Sequence, residues 1–117
     1  MNLQIEMEQH RGVLIVRLSG ELDHHTSDMV RMQMDEAIQR RQCEHIVISL
    51  KNLQFMDSSG LGVILGRYKL IKQKGGKMAV CDVNPPVYRL LEMSGLFKIM
   101  PIYDNEGNAL AELEVVS

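Results

Sequence analysis

The sequence predicts a single α/β domain: a mixed, mostly parallel sheet of about five strands with about four helices, in the order β-β-α-β-α-β-α-β-α. Three observations carry this expectation. Short runs rich in Val and Ile alternate with segments whose apolar residues recur at helical spacing, the pattern of strands joined by crossover helices. The first two strands are separated only by His10-Arg11-Gly12, too short for a crossover, so they pair antiparallel. A chain of 117 residues, 45% hydrophobic and 24% charged, is one domain with one real core.

Each element follows from its residues. Leu3, Ile5 and Met7 alternate with polar neighbours, as a half-buried strand does. Val13 to Leu18 reads as a second strand buried on both faces, and Gly20 to His25 as a loop. Thr26 or Ser27 caps a helix to about Arg41, with Val30, Met34, Ala37 and Ile38 as its core stripe. Ile46 to Leu50 is a β-branched central strand. A loop through Phe55 then leads to Asp57-Ser58-Ser59 and a second helix that stops near Lys74, before Gly75-Gly76. Met78 to Val83 is a further strand. Asn84-Pro85-Pro86 supplies a cap and first-turn prolines for a third helix closed by Gly95. Phe97 to Tyr103, interrupted by Pro101, reads as an edge strand, and Glu106 to Glu114 as the last helix.

Composition excludes several classes of function. Thirteen basic against fifteen acidic residues give a formal charge of −2, without the basic excess of a nucleic-acid binder. Lys69, Lys72, Lys74 and Lys77 cluster where a helix ends, and cations there complement its dipole. The aromatics are Phe55, Tyr68, Tyr88, Phe97 and Tyr103, too few for a base-stacking platform. Cys43 and Cys81 are isolated thiols, as expected in a reducing cytoplasm. The N-terminus has no signal-peptide pattern, and the longest aliphatic run, Val13 to Val16, cannot span a membrane.

The junction between the central strand and the second helix is where function in open α/β sheets concentrates. Asp57, Ser58 and Ser59 have the residue types of a helix cap, so a purely structural role accounts for them too. The glycines that follow need a further reason. Gly60, Gly62 and Gly66 each cost a helix about 0.8–1 kcal/mol relative to alanine. A helical projection puts Leu61, Ile64, Leu65, Tyr68 and Ile71 on one face, read as the core face. Ser59, Gly62, Val63, Gly66 and Leu70 fall opposite. A bare strip of backbone turned away from the core fits close docking by another macromolecule. Packing of a neighbouring helix of the same domain is the alternative.

Phe55-Met56-Asp57-Ser58-Ser59-Gly60-Leu61-Gly62 resembles the signature of the STAS-domain family, in its anti-sigma factor antagonist branch of the sporulation-operon type. Gly20-Glu21-Leu22-Asp23 resembles that family's other hallmark loop, and Asn84-Pro85-Pro86 also matches in order. The resemblance covers nearly the whole chain and implies a single STAS domain over residues 1–117. It implies a binding module rather than an enzyme, with no cofactor. The unphosphorylated antagonist binds an anti-sigma factor that is also a serine kinase, and so frees a sigma factor. Phosphorylation of one serine ends the binding, and a serine phosphatase restores it. The family motif places the acceptor at Ser58, with Ser59 as the fallback. Asp23, Asp57, Ser58, Ser59, Gly60, Gly62, Val63 and Gly66 are then the expected partner-binding residues.

Other chemistries fit less well. Gly60 to Gly66 nearly spells the dinucleotide-binding GxGxxG, with Asp82 ending the next strand, but its third glycine is one residue late. A nucleotide-binding module is the alternative reading. Met56-Asp57-Ser58-Ser59-Gly60 lacks the first glycine of a nucleophile elbow, and His10, His24, His25 and His45 all precede the serine. Asp57 as a phosphate acceptor lacks the adjacent acidic pair that would hold Mg²⁺. Asp23, His24 and His25 read as polar loop residues rather than a metal site, because adjacent histidines diverge on regular structure.

Overall fold

The antiparallel hairpin opens the fold. In the computed structural model, which describes residues 2–41 and 43–114, β1 (Leu3–His10) pairs with β2 (Val13–Leu22) from Leu3↔Gly20 to His10↔Val13. The two residues between them, Arg11 and Gly12, both have positive φ (51° and 82°). That is the backbone of a tight turn whose twist matches the strands it joins. There follow α1 (Ser27–Arg41), β3 (His45–Met56), α2 (Ser58–Gln73), β4 (Met78–Cys81), α3 (Pro85–Ser94), β5 (Ile102–Tyr103) and α4 (Glu106–Glu114).

The sheet has five strands in the order β1-β2-β3-β4-β5, antiparallel in its first pair and parallel in the rest. The predicted class and element order both hold. Strands adjacent in sequence are adjacent in space, so each crossover helix steps one strand along. Crossovers of this kind share one hand, so α1, α2 and α3 all lie on the same face. Leu14, Val16, Leu18, Ile46, Ile48 and Val80 meet Val30, Met34, Ile38, Ile64, Ile71, Val87 and Leu91 there in the main core. The opposite face is covered by α4, whose Ala109 and Leu113 pack on Val13, Val47 and Cys81. Arg17 of β2 holds the start of α4, donating to Glu106 at 2.7 and 2.9 Å.

Four boundaries differ from the sequence reading. Gly20 to Leu22 belongs to β2, not to a loop, and β3 continues through Phe55 to Met56 instead of ending at Leu50. These extensions pair with each other: Ser19↔Asn52, Gly20↔Leu53, Glu21↔Phe55 and Leu22↔Met56, with two register shifts. The extra residues are bulges. They put the buried Leu50, Leu53 and Met56 at intervals of three, which hides the alternation of a strand. Gly20 is required at this bend. Its φ is +105°, and a Cβ would lie 2.0 Å from the Asn2 carbonyl oxygen, which accepts the Glu21 N–H at 2.8 Å. The third correction is at the far edge. Leu96–Lys98 forms a 3-10 turn and only Ile102–Tyr103 pairs with β4. On the neighbouring strand, Asp82 at φ 57° ends β4 before Val83.

Candidate functional site

β2 and β3 are parallel, and Leu22↔Met56 is their last pair. Parallel neighbours end at the same edge of a sheet, so the residues that follow, Asp23 and Asp57, come out side by side. Each begins the turn into a helix. The Asp57 N–H donates to the Leu22 carbonyl at 3.2 Å. Its Oδ1 accepts the N–H groups of Ser59 (2.9 Å) and Gly60 (3.3 Å), two of the unsatisfied donors of the first turn of α2. Its Oδ2 reaches sideways and accepts the His24 N–H at 3.2 Å. One carboxylate therefore caps α2 and ties the α1 loop to it.

Asp23 orders the turn that leads into α1. Its Oδ1 accepts the N–H groups of His25 (2.9 Å) and Thr26 (3.1 Å). The Thr26 hydroxyl donates to the Glu21 carbonyl at 2.9 Å and accepts the Asp23 N–H at 3.0 Å, while Ser27 donates to the Asp23 carbonyl at 2.6 Å. Loss of hydration pushes the Asp23 carboxyl upward. The His25 and Thr26 N–H groups outweigh it and hold the carboxyl below its ordinary range. Thr26 and Ser27 stand at the start of α1 as expected, but their hydroxyls donate back to the Glu21 and Asp23 carbonyls instead of capping first-turn amides.

Ser58 is the first residue of α2 and is exposed; Ser59, next to it, is half-buried. The glycines that follow separate into two groups. Gly62 is exposed and Gly66 half-buried, and at both an added Cβ would meet open space. Gly60 is buried. A Cβ there would lie 2.7 Å from Met56 Cγ and 2.8 Å from Leu22 Cγ, so this glycine lets the helix start close against the strand ends. Val63 is buried as well. Gly60 and Val63 thus offer no contact surface of their own, contrary to the sequence expectation. Ser58, Ser59, Gly62 and Gly66, with Asp23 and Asp57, lie together at the sheet's carboxyl edge and along the outer side of α2.

The cause is that α2 packs on two neighbours, the sheet and α1. Ile64 and Ile71 are buried in the core as expected, but Leu61, Leu65 and Tyr68 are only half-buried. Val63 and Arg67 share one face at i,i+4 spacing, and Arg67 Nε lies 3.1 Å from Asp35 Oδ1 of α1. That face meets α1, and Val63 is buried in the main core there. For Val63 the alternative named from the sequence, packing of a neighbouring helix of the same domain, is the one the structure shows.

Two features were missed. His24 was read only as a loop residue, although its N–H bonds Asp57 and its ring Nδ1 stands 3.8 Å from Asp57 Oδ2. No local signal in the sequence joins residues from two separate loops. Phe55 (48% exposed) and Met93 (79%) flank an apolar groove of about 320 Å³ with Pro86 and Leu90, next to the Ser58 turn. A Phe placed by a bulge at a strand end was mistaken for a loop residue.

The run Gly60 to Gly66 lies inside α2, not in a turn before it, so these glycines do not form a phosphate-cradling loop. Nor does the strand order reverse anywhere, which removes the crevice that dinucleotides occupy. Among the described residues, no group of three or more His, Cys, Asp or Glu side chains is gathered as a metal site. No helix among them is long and apolar enough to cross a membrane.

Comparison with known proteins adds to this geometry. The family model described as the STAS domain matches residues 4–109. The chain is 93% identical over 117 residues to an anti-sigma F factor antagonist of Paenibacillus polymyxa, covering 100% of both chains. Among solved structures it is similar to the anti-sigma factor antagonist SpoIIAA in its unphosphorylated form, with TM-score 0.74 and 28% identity over 95% of this chain and 98% of that one. It is similar too to the Bacillus cell fate determinant SpoIIAA in the phosphorylated form, with TM-score 0.75 and 30% identity over 93% and 98%.

Proposed function

This chain belongs to the STAS-domain family, and we propose that within it the chain is a cytoplasmic anti-sigma factor antagonist that works by partner switching and has no catalytic turnover of its own. In its unphosphorylated form it binds an anti-sigma factor that is also a serine kinase, and so releases a sigma factor. Phosphorylation of Ser58 by that kinase ends the binding, and a serine phosphatase restores it. The observation that carries this reading is the setting of Ser58: exposed at the first position of α2, beside the Asp23 loop, at the head of the open Gly62–Gly66 side. The relatives' names support it, since one similar protein is known in both unphosphorylated and phosphorylated forms.

The physics of the switch is local. The unmodified surface is small: a hydroxyl and the bare backbone at Gly62 and Gly66, which a partner can approach closely. A phosphate adds a tetrahedral group and about −1.5 to −2 charge units, next to two carboxylates. The formal charge of the chain goes from −2 to about −4. The free amide ends of α2 favour an anion, so the helix keeps its fold while the docking surface becomes bulky and anionic.

The test is to incubate the purified chain with the anti-sigma factor kinase and ATP, map the phosphate by mass, and measure binding before and after. Phosphate on Ser58 with sharply weakened binding is expected. Phosphate elsewhere, or undiminished binding by the modified protein, overturns the reading.

A further inference from the structure

Partner switching needs only Ser58 and a surface around it, yet His24 also stands at the same spot. Its backbone N–H donates to Asp57 Oδ2 at 3.2 Å, and its ring Nδ1 stands 3.8 Å from that same oxygen. The side chain is 69% exposed, so it has room to turn. Asp57 faces it from the start of α2. On its own loop are His25, whose ring centroid lies 3.9 Å away with the planes tilted by 40°, and Asp23, engaged by the backbone of His25 and Thr26. From α1 the nearest acid along the chain is Asp28, paired with Arg31 at 3.5 Å. His24 is thus tethered by its backbone to the carboxylate that immediately precedes Ser58, with an exposed imidazole ring beside that carboxylate.

A phosphate on Ser58 would place three acceptor oxygens and a larger negative charge beside that carboxylate. Of two adjacent anions, the more highly charged one attracts an imidazole ring and its proton more strongly. We propose that His24 is the positioning residue for the Ser58 phosphate: its exposed ring turns from beside Asp57 to the phosphate and binds the Asp23 loop to the modified end of α2. This rests on Ser58 as the modified residue. It adds that the off state is a two-loop structure, closed by an internal counter-charge, and that its strength depends on pH.

The sign follows from linkage. A histidine that gains an anionic partner has its pKa raised, so the tie is fully present below the unshifted value near 6.5 and is lost as pH rises through the shifted one. Reciprocally, the second ionisation of the phosphate, ordinarily near 6, is drawn downward.

The experiment uses phosphoserine inserted at position 58 during translation, so that it does not depend on any kinase. Proton NMR follows the His24 titration in the modified and unmodified chains, and phosphorus NMR follows the phosphate in the wild type, His24→Gln and His25→Gln. The expected result is a His24 midpoint raised by about one pH unit or more, and a phosphate midpoint that is lowered in the wild type, restored in His24→Gln and still lowered in His25→Gln. His24 is exposed, and an amide spectrum verifies that the variant is folded. An unmoved His24 midpoint, or a phosphate that titrates alike in wild type and His24→Gln, overturns the proposal. So does a His25→Gln effect as large as that of His24→Gln. Whether a kinase selects Ser58 is read separately by mass mapping, so the two readings fail independently.

Discussion

Asp57 and Ser58 are neighbours that divide two tasks between them. The aspartate holds the helix start through Ser59 and Gly60, whereas the serine stands exposed beside it. Their alanine variants should therefore behave in opposite ways. Asp57→Ala removes a cap and should cost about 0.5–2 kcal/mol of stability, measurable by urea denaturation. Ser58→Ala should change stability by under about 0.5 kcal/mol, abolish phosphorylation and leave partner binding intact; full phosphorylation of that variant would move the acceptor to Ser59. The glycines divide similarly. Gly60→Ala drives a methyl into Met56 and Leu22 and should cost about 1–3 kcal/mol. Gly62→Asp meets open space, so it should fold and lose partner binding; normal binding by the folded variant would place the interface elsewhere. The cap was legible in the sequence because Asp-Ser-Ser before a helix is a local pattern. The burial of Gly60 was not, because it is decided by Leu22, which arrives from another strand.

At the scale of elements, period-based reading worked where an element packs on one neighbour. The α1 stripe of Val30, Met34, Ala37 and Ile38 is buried throughout. It failed where two neighbours compete, as on α2, and where bulges reset the period, as in β3 after Leu50. Prolines and glycines placed the ends of α3 well: Asn84 caps it with its side chain, and Gly95 closes it in the left-handed conformation. The short α4 is an element whose anchoring is partly electrostatic. Hydrogen bonds from Arg17 hold the Glu106 carboxyl below its ordinary range against the opposing effect of burial, and the charges of Arg17 and Lys51 add to this. A carboxyl lowered in the folded state contributes stability above its unfolded value, about 4.3–4.5. That contribution is lost as pH falls through the lowered value. Glu106→Gln should therefore reduce stability at neutral pH by about 1 kcal/mol, allowing for solvent screening, and flatten its decline on acidification. Thermal melts of both proteins from neutral pH to about pH 3 check this; parallel declines would show that the pair does not matter.

Across the whole molecule, a strand order that never reverses puts three helices on one face of the sheet and leaves the other to α4. The proposed docking edge belongs to the three-helix side. That asymmetry makes the protein a clock with two hands. Cys43 is sealed in the large layer and Cys81 in the small one, and both are buried. Burial first, then the nearby Asp82, pushes the Cys81 thiol up to about 12, so it cannot react while α4 is docked. A layer closed by few apolar side chains opens at lower free energy than the global fold. Under native conditions a thiol reagent should therefore modify Cys81 at least about tenfold faster than Cys43. Added salt, which screens Arg17 from Glu106, should quicken Cys81 and leave Cys43 unchanged. Equal rates at the two thiols would mean that the domain opens only as a whole. A faster Cys81 would mean that the helix on the far side comes and goes while the proposed partner surface stays in place.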